Sequence, residues 1–326
     1  MKPGNTQISE MVNMEESEEV MQEVHLLVSL MFSDFSFARL DNTFGDIVRL
    51  FEGKYPGYRA CNTQFHDLRH STDALLAMAR LIHGAWVCGK RFRRKNVELG
   101  LVSALMHDTG YIQTVHELTG TGARYTLVHI RRSIEFMEKY FDEHGNSKED
   151  FYLCSNHLRC TGLDTRITEI HFHSPEHELL GKMLGTADLL GQMADQTYLE
   201  KLRFLFDEFQ EGKVPGFTDR LDMLEKTPAF HAFTLSRMET ELGGVHRYMR
   251  HHFRSRWRLD RNLYADAIEG HVHYLQHAFA IYNARSCNMG SERSVILEKL
   301  IKERRNTGPA IRDIPFSCLG ASSPRG

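Results

Sequence analysis

Residues 64–81 read QFHDLRHSTDALLAMARL, and the second half of this stretch decides the fold class. Its apolar residues recur at three- and four-residue spacing, which places them on one face of a helix. Two other segments repeat this spacing, and the three faces consist of Ala74, Ala77, Met78 and Leu81, of Val24, Leu27, Val28 and Met31, and of Leu202, Leu205, Phe206 and Phe209. Because alternating, strand-like runs are few and short, the sequence predicts an all-α protein.

The composition of the 326-residue chain excludes several classes of protein. With 41% hydrophobic and 25% charged residues, the chain has enough apolar surface to close a core, which excludes disordered and collagen-like proteins. Its 40 basic and 43 acidic side chains give a net charge of −3, so nucleic acid is not an expected partner. No apolar run approaches the roughly 18 residues that span a bilayer, so we expect no membrane partner either.

The first residues and the cysteines favour a cytoplasmic location. Residues 1–20 are polar and acidic, which is unlike a secretory signal. The six cysteines are dispersed along the chain without a CxxC pair, which is typical of reduced thiols.

Polar and glycine-rich breaks divide the predicted helices into four sections. We expect an N-terminal helical section over residues 1–55, a central helical domain over 56–210, a C-terminal helical extension over 211–302 and a flexible tail over 303–326. The tail is assigned from its Arg, Pro, Ser and Gly content.

Histidines and aspartates in the central section are spaced as metal ligands. His66 and His70 lie four residues apart, and Asp73 follows three residues later, so all three can share one face of a helix. His107 and Asp108 end an apolar helical segment, where an imidazole and a carboxylate together offer nitrogen and oxygen to a cation.

Three ordered blocks give the sequence a resemblance to a known family. FHDLRHSTDALL, ALMHDTGY and GTADLL together resemble the HD superfamily of metal-dependent phosphohydrolases, over roughly residues 60–210. The first block is also similar to the start of the catalytic site in class I cyclic-nucleotide phosphodiesterases, with Asp67 in place of their asparagine. The resemblance implies that residues 56–210 form an HD-domain helical bundle with catalytic function.

The resemblance also implies a set of metal ligands and a proton donor. His70, His107, Asp108 and Asp188 would bind the first metal, and His66 would protonate the leaving oxygen. Asp108 would have a catalytic role as the carboxylate that bridges two ions. His129 and His157 resemble the additional histidines of two-metal HD proteins such as the HD-GYP phosphodiesterases. We expect one or two divalent ions, with Mn, Mg, Fe, Zn and Ni all compatible with mixed nitrogen and oxygen ligands.

Further residues are predicted to support the metal or to bind the substrate. Asp67 or Asp73 could orient an imidazole through its second nitrogen. Asp195, on the same helix face as Asp188, could support the metal ligands or cap a polar network, and we favour the supporting role. Arg124, in the glycine-bracketed stretch GTGARY, could contact a substrate phosphate. Gln276 and Phe279 resemble the glutamine and aromatic residue that clamp the base in cyclic-nucleotide phosphodiesterases.

The predicted activity is that of a divalent-metal-dependent phosphohydrolase of phosphodiesterase type. Two cations about 3.5–4 Å apart would neutralise phosphoryl oxygens and generate a hydroxide that attacks phosphorus. The expected substrate is a small-molecule phosphate ester or diester, including nucleotides and cyclic nucleotides. Two alternatives stay open, an HD-fold di-iron oxygenase and a catalytically silent HD signalling module, and an oligomer is compatible with the sequence.

One segment, residues 246–264, is strongly basic with interleaved aromatic residues. It could contact phosphates or stack on bases. The alternative is a helix whose arginines pair with acidic neighbours such as Glu239 and Glu241.

Overall fold

A computed structural model describes residues 7–285 and confirms the all-α prediction. The described residues form no β-strand, and the isolated bridge between Tyr58 and Thr114 is their one β-type pairing. Their α-helices are α1 (Ser17–Met31), α2 (Ala38–Phe51), α3 (Leu68–Val87), α4 (Arg94–Met106), α5 (His129–Glu143), α6 (Lys148–Arg159), α7 (Pro175–Met193), α8 (Tyr198–Glu211), α9 (Arg220–Glu239), α10 (Tyr248–Trp257) and α11 (Leu263–Arg285).

Helix α3 is the central element of the fold. Every side chain from His70 to Ala85 is buried, because α1, α4, α7 and α10 all pack against this helix. Gly191 of α7 allows close packing, since a Cβ there would lie 3.0 Å from the backbone nitrogen of Ala74. A helix that is buried on all sides fixes the position of the side chains in its first turn, where His70 lies.

Helices α4 and α7 pack against α3, and α6 and α5 form the next layer beyond them. Helix α4 packs against α6 and α7, and α6 also packs against α5 and α7. The carboxyl end of α4 therefore meets the first turns of α3 and α5 beside the middle of α7. Short 3₁₀ turns at Thr109–Tyr111 and Gly122–Tyr125 connect α4 to α5.

The hydrophobic core is continuous through the predicted sections. One cluster of buried apolar side chains extends from Ile8 to Ala278, so residues before 56 and after 210 share the core of the central section. Residues 286–302 of the predicted C-terminal extension and the predicted tail, 303–326, lie outside the described residues. Within residues 7–285, none of the helices combines the length and the apolar character that a membrane span requires.

Candidate metal centre

Four predicted ligands from three helical elements meet at one point. His70 lies in the first turn of α3, His107 and Asp108 follow α4, and Asp188 lies in α7. The His70 Nε2 atom is 3.2 Å from His107 Nε2, 3.2 Å from Asp108 Oδ2 and 3.2 Å from Asp188 Oδ1. His107 Nε2 is 3.4 Å from Asp108 Oδ2 and 3.6 Å from Asp188 Oδ1. Residues separated by up to 118 positions in the sequence thus converge.

The donor atoms fit a single divalent cation. Ligands about 2.1 Å from a shared ion lie about 3.0–3.4 Å from one another in octahedral or tetrahedral arrangements, close to the observed separations. His70, His107 and Asp108 are 4%, 1% and 3% exposed, and they form a buried group that could hold a metal ion. Asp108 Oδ2 is buried without a hydrogen-bond partner, which a coordinated cation would supply.

Backbone carbonyls select the histidine tautomer that a cation needs. Nδ1–H of His107 donates to the carbonyl of Ala104 at 2.8 Å, which leaves the Nε2 lone pair directed at the carboxylates. His129 makes the same contact to Thr126 at 2.6 Å. Its Nε2 atom lies 3.7 Å from Asp108 Oδ1. The two oxygens of Asp108 therefore face different histidines, the geometry expected of a bridging carboxylate.

The carboxylates and imidazoles of the cluster shift one another's pKa values. Burial favours the neutral carboxylic acid, but His107 and His70 outweigh it and hold the pKa of Asp108 well below its usual range. Burial likewise disfavours protonation of His70, yet Asp108 and Asp188 raise its pKa well above the ordinary value. Anionic carboxylates so close to imidazoles would attract any divalent cation that reached them.

Ser133 of α5 fixes the position of the His107–Asp108 pair. Its hydroxyl donates to the carbonyl of His107 at 2.6 Å and accepts from the backbone N–H of Gly110 at 2.8 Å. Gly110 is required at this contact, because a Cβ atom there would lie 2.0 Å from the carbonyl oxygen of His129. The start of α5 thereby brings His129 to the end of α4.

His66 lies beside the cluster and is held by a glutamate that the sequence analysis missed. Its ring centroid is 5.7 Å from that of His70. Nδ1 donates to Glu208 Oε2 at 2.6 Å, and Glu208 Oε1 accepts from the backbone N–H groups of Gln64 and Phe65. Burial opposes ionisation of Glu208, but the neighbouring His66 and these hydrogen bonds lower its pKa. His66 therefore faces a buried carboxylate and keeps Nε2 available.

Tyr111 is a second residue that the sequence analysis missed. Its ring stacks on His66 at a centroid distance of 4.3 Å and on His129 at 4.8 Å, with interplanar angles of 10° and 20°. Burial raises the pKa of the Tyr111 hydroxyl well above its ordinary value, so the hydroxyl stays neutral. Tyr111 thus sets the planes of two imidazoles next to the cluster.

Asp73 and Asp195 lie in a charged network beside His70. Asp195 thus follows the polar-network alternative, and Asp73 makes no hydrogen bond to an imidazole of the described residues. Asp195 binds Arg69 at 3.1 Å and Lys201 at 3.0 Å. Asp73 is 3.8 Å from Arg69, and its Oδ1 atom has no hydrogen-bond partner. Burial, followed by the charge of Asp195, raises the pKa of Asp73 well above its ordinary value. The physical reason for the difference is that Arg69, next to His70 in the sequence, attracts both carboxylates.

The structure places His157, predicted as a ligand of the second metal, in a different contact. Its Nε2 atom lies 3.1 Å from Nδ1 of His177, and its Nδ1 atom lies 3.2 Å from the hydroxyl of Ser103. Both ring nitrogens are therefore engaged away from Asp108, and we leave His157 out of the candidate site. Burial, followed by His177, lowers the pKa of His157 to about 3, so the ring is neutral.

The contacts that the structure shows for the three predicted substrate-binding residues are with groups outside the cluster. Arg124 is exposed, and its guanidinium donates to the carbonyl and the hydroxyl of Thr119. On α11, Gln276 is exposed and Phe279 packs against the hydrophobic core. A helix pattern locates residues on a face, but it does not tell which neighbouring element that face meets.

The sequence contained weak signals for the missed residues. Glu208 interrupts the apolar face of α8 between Leu205 and Phe209, which marks a buried carboxylate that needs a partner. Tyr111 directly follows the HDTG stretch. Nothing in the sequence alone distinguished Ser133 from an ordinary helical serine.

Comparison of the chain with protein-family models, curated proteins and solved structures finds no match. A function therefore has to be inferred from the geometry of the site itself.

Proposed function

We propose that this chain is a divalent-metal-dependent phosphohydrolase that acts on a small phosphate ester or diester, such as a nucleotide or cyclic nucleotide, in the cytoplasm. The observation that carries the proposal is the position of His66. It stands beside His70 without belonging to the metal-binding group, and a buried carboxylate holds its Nδ1 atom. A metal site that also needs a proton donor is typical of phosphoester hydrolysis.

The candidate ligands would hold one divalent ion, and the chemistry of that ion differs from the role of His66. His70, His107, Asp108 and Asp188 would hold a divalent ion, with His129 on the far oxygen of Asp108. Such an ion supplies charge neutralisation at phosphoryl oxygens and activation of water at neutral pH. Since His157 faces His177, the described residues offer one well-formed cation site and a much poorer second one.

The leaving oxygen would receive its proton from His66. Nδ1–H of this imidazole donates to Glu208, so the opposite atom, Nε2, faces away from the carboxylate and can carry the proton that is transferred. The interaction with His66 lowers the pKa of Glu208, so an ionised carboxylate lies beside the ring. Tyr111, stacked on the ring, restricts its rotation and so keeps Nε2 at a fixed position relative to His70.

The alternative chemistries receive less support from the site. A di-iron oxygenase with six ligands would require His157, whose two ring nitrogens contact His177 and Ser103. A silent signalling module would not need a buried carboxylate to hold a non-ligand histidine. The hydrolase is therefore the function that the arrangement of side chains favours.

The test compares metal content and turnover in single-residue variants. We expect His107→Ala and Asp108→Ala to lose bound metal and phosphoester hydrolysis together, with a decrease in turnover of at least about 10³-fold. Metal is measured by elemental analysis, and turnover with a panel of phosphoesters in the presence of Mn²⁺, Mg²⁺, Ni²⁺ or Fe²⁺.

His157→Gln is the matched control, because it changes a buried histidine outside the proposed ligands. It should retain the metal content of the unchanged protein. Full hydrolysis by both His107→Ala and Asp108→Ala would contradict the proposal. Iron-dependent O₂ consumption without phosphate release would instead establish the oxygenase.

A further inference from the structure

A buried arginine lies outside the candidate metal centre and forms no ion pair with an acidic residue in the part of the chain that the structure describes. Arg80 of α3 is 0% exposed. Its Nη1 atom donates to the hydroxyl of Tyr264 at 3.0 Å, while Nε and Nη2 have no hydrogen-bond partner among the described residues. A guanidinium is charged at every physiological pH, and burial of an unpaired charge costs several kcal/mol.

The side chains in contact with Arg80 include two aromatic rings, and no carboxylate of the described residues forms an ion pair with it. Its Cζ atom lies 5.6 Å from the centre of the Phe253 ring and 5.7 Å from that of Tyr264. Cation–π contacts compensate only a small part of the cost of a buried charge. The carboxylate on the same face of α3, Asp73, lies 3.8 Å from Arg69 instead.

Two buried histidines add polar groups to the same region. Nδ1 of His252 lies 3.1 Å from Nδ1 of His83, and Nε2 of His252 has no hydrogen-bond partner. When His83 donates this hydrogen bond, the neutral His252 ring carries its proton on Nε2, as a second unpartnered donor. Burial, followed by Arg80, His83 and Arg256, lowers the pKa of His252 well below its ordinary value.

We propose that Arg80 and His252 bind a small inorganic monoanion of the size of chloride between α3, α10 and α11. Nε–H and Nη2–H of Arg80 and Nε2–H of His252 would donate to the anion. One guanidinium balances one negative charge, and the nearby Arg256 is already neutralised by Glu23 at 3.3 Å. A weakly hydrated halide suits the aromatic walls better than a strongly hydrated oxyanion.

The anion would connect α3 and α10 directly, and α11 through the hydrogen bond from Arg80. Arg80 lies on α3, His252 on α10, and Tyr264, which accepts from Arg80, on α11. Binding to the folded chain alone stabilises it in proportion to the logarithm of anion concentration. This site does not depend on the proposed hydrolase activity.

The test measures thermal unfolding of the full chain in chloride-free gluconate buffer with added NaCl or NaBr at constant ionic strength. We expect the Tm to rise by a few degrees, in proportion to the logarithm of halide concentration once this exceeds the dissociation constant, because the anion binds the native state. Arg80→Met should abolish the rise. Arg39→Met is the matched control, since Arg39 is bound to Asp150 at 2.9 Å, and this variant should keep the rise.

Anomalous diffraction from bromide-soaked crystals of the unchanged protein gives a second measurement that does not require a folded variant. A bromide peak within hydrogen-bond distance of Arg80 Nε or Nη2 would support the site. A Tm independent of chloride and bromide, together with a water molecule in place of a bromide peak, would overturn it.

Discussion

At the scale of the residue, His70 and His157 show what spacing can and cannot predict. Both follow helical patterns in the sequence, and both are buried. His70 meets Asp108 and Asp188, whereas His157 meets His177 and Ser103. The difference depends on the direction in which α6 presents its side chains to α4 and α7, and a single sequence does not contain that direction.

Glu208 allows the role of His66 to be separated from that of the metal ligands. We expect Glu208→Gln to lower turnover by about 10²-fold while metal content stays unchanged, because the amide no longer stabilises an imidazolium. The decrease should be smaller for substrates with good leaving groups, such as a nitrophenyl ester, since these need less protonation. Equal losses for good and poor leaving groups would contradict proton donation by His66.

At the scale of the element, the start of α3 couples helix formation to the metal centre. Asp67 is the N-cap, and its Oδ1 atom accepts from the backbone N–H of His70 at 2.9 Å. Aspartate and asparagine cap helices about equally well. An asparagine at position 67 would therefore preserve the capping interaction.

We expect Asp67→Ala to lower the free energy of unfolding by about 1 kcal/mol and to weaken metal binding, because the uncapped first turn carries His70. Asp67→Asn, which can still accept the hydrogen bond, is the control and should retain both properties. Urea unfolding and a metal titration measure the two effects. Unchanged metal affinity in Asp67→Ala would show that packing alone positions His70.

Helical periodicity predicted the elements well, and the basic segment was also interpretable. The face formed by Ala74, Ala77, Met78 and Leu81 lies in α3, as expected. In residues 246–264, Arg247 binds Glu239, and Arg250 binds Asp260 at 2.8 Å. These two pairs agree with the alternative of a helix whose arginines pair with acidic neighbours.

At the scale of the whole molecule, several buried histidines make the fold sensitive to acid. Burial lowers the pKa of His231 to about 4, and burial with the charge of Arg256 lowers the pKa of His83 to about 4. Unfolded histidines titrate near pH 6.5, so below this pH the unfolded chain binds protons that the native protein does not. Stability contributed by these groups is complete above pH 6.5 and is lost as the pH falls towards 4.

We therefore expect the free energy of unfolding to fall between pH 7 and pH 5. In His231→Phe this fall should be smaller by about 1–2 kcal/mol, because a neutral ring replaces a histidine whose nitrogens have no hydrogen-bond partner. Urea unfolding at the two pH values measures the difference. The same fall in the variant and in the unchanged protein would show that His231 is protonated in the native state.

The sequence predicted the helical class and the four candidate ligands that the structure brings together, but not how the sections share one core. Short stretches such as HDTG and GTADLL place candidate side chains within a few residues of one another, so a local pattern is enough to select them. Contacts such as Glu208 with His66, 142 positions apart, depend on how helices pack, and no local pattern encodes them.

Because α3 is enclosed by other helices, segments near both ends of the described chain influence the position of His70 indirectly. Helix α1 lies on α3 from the amino-terminal side of the sequence and α10 from the carboxyl-terminal side. A substitution that loosens the packing of α1 or α10 against α3 would displace His70 through α3, without changing any candidate ligand. Inactivating changes far from the centre are thus to be sought along those two flanks.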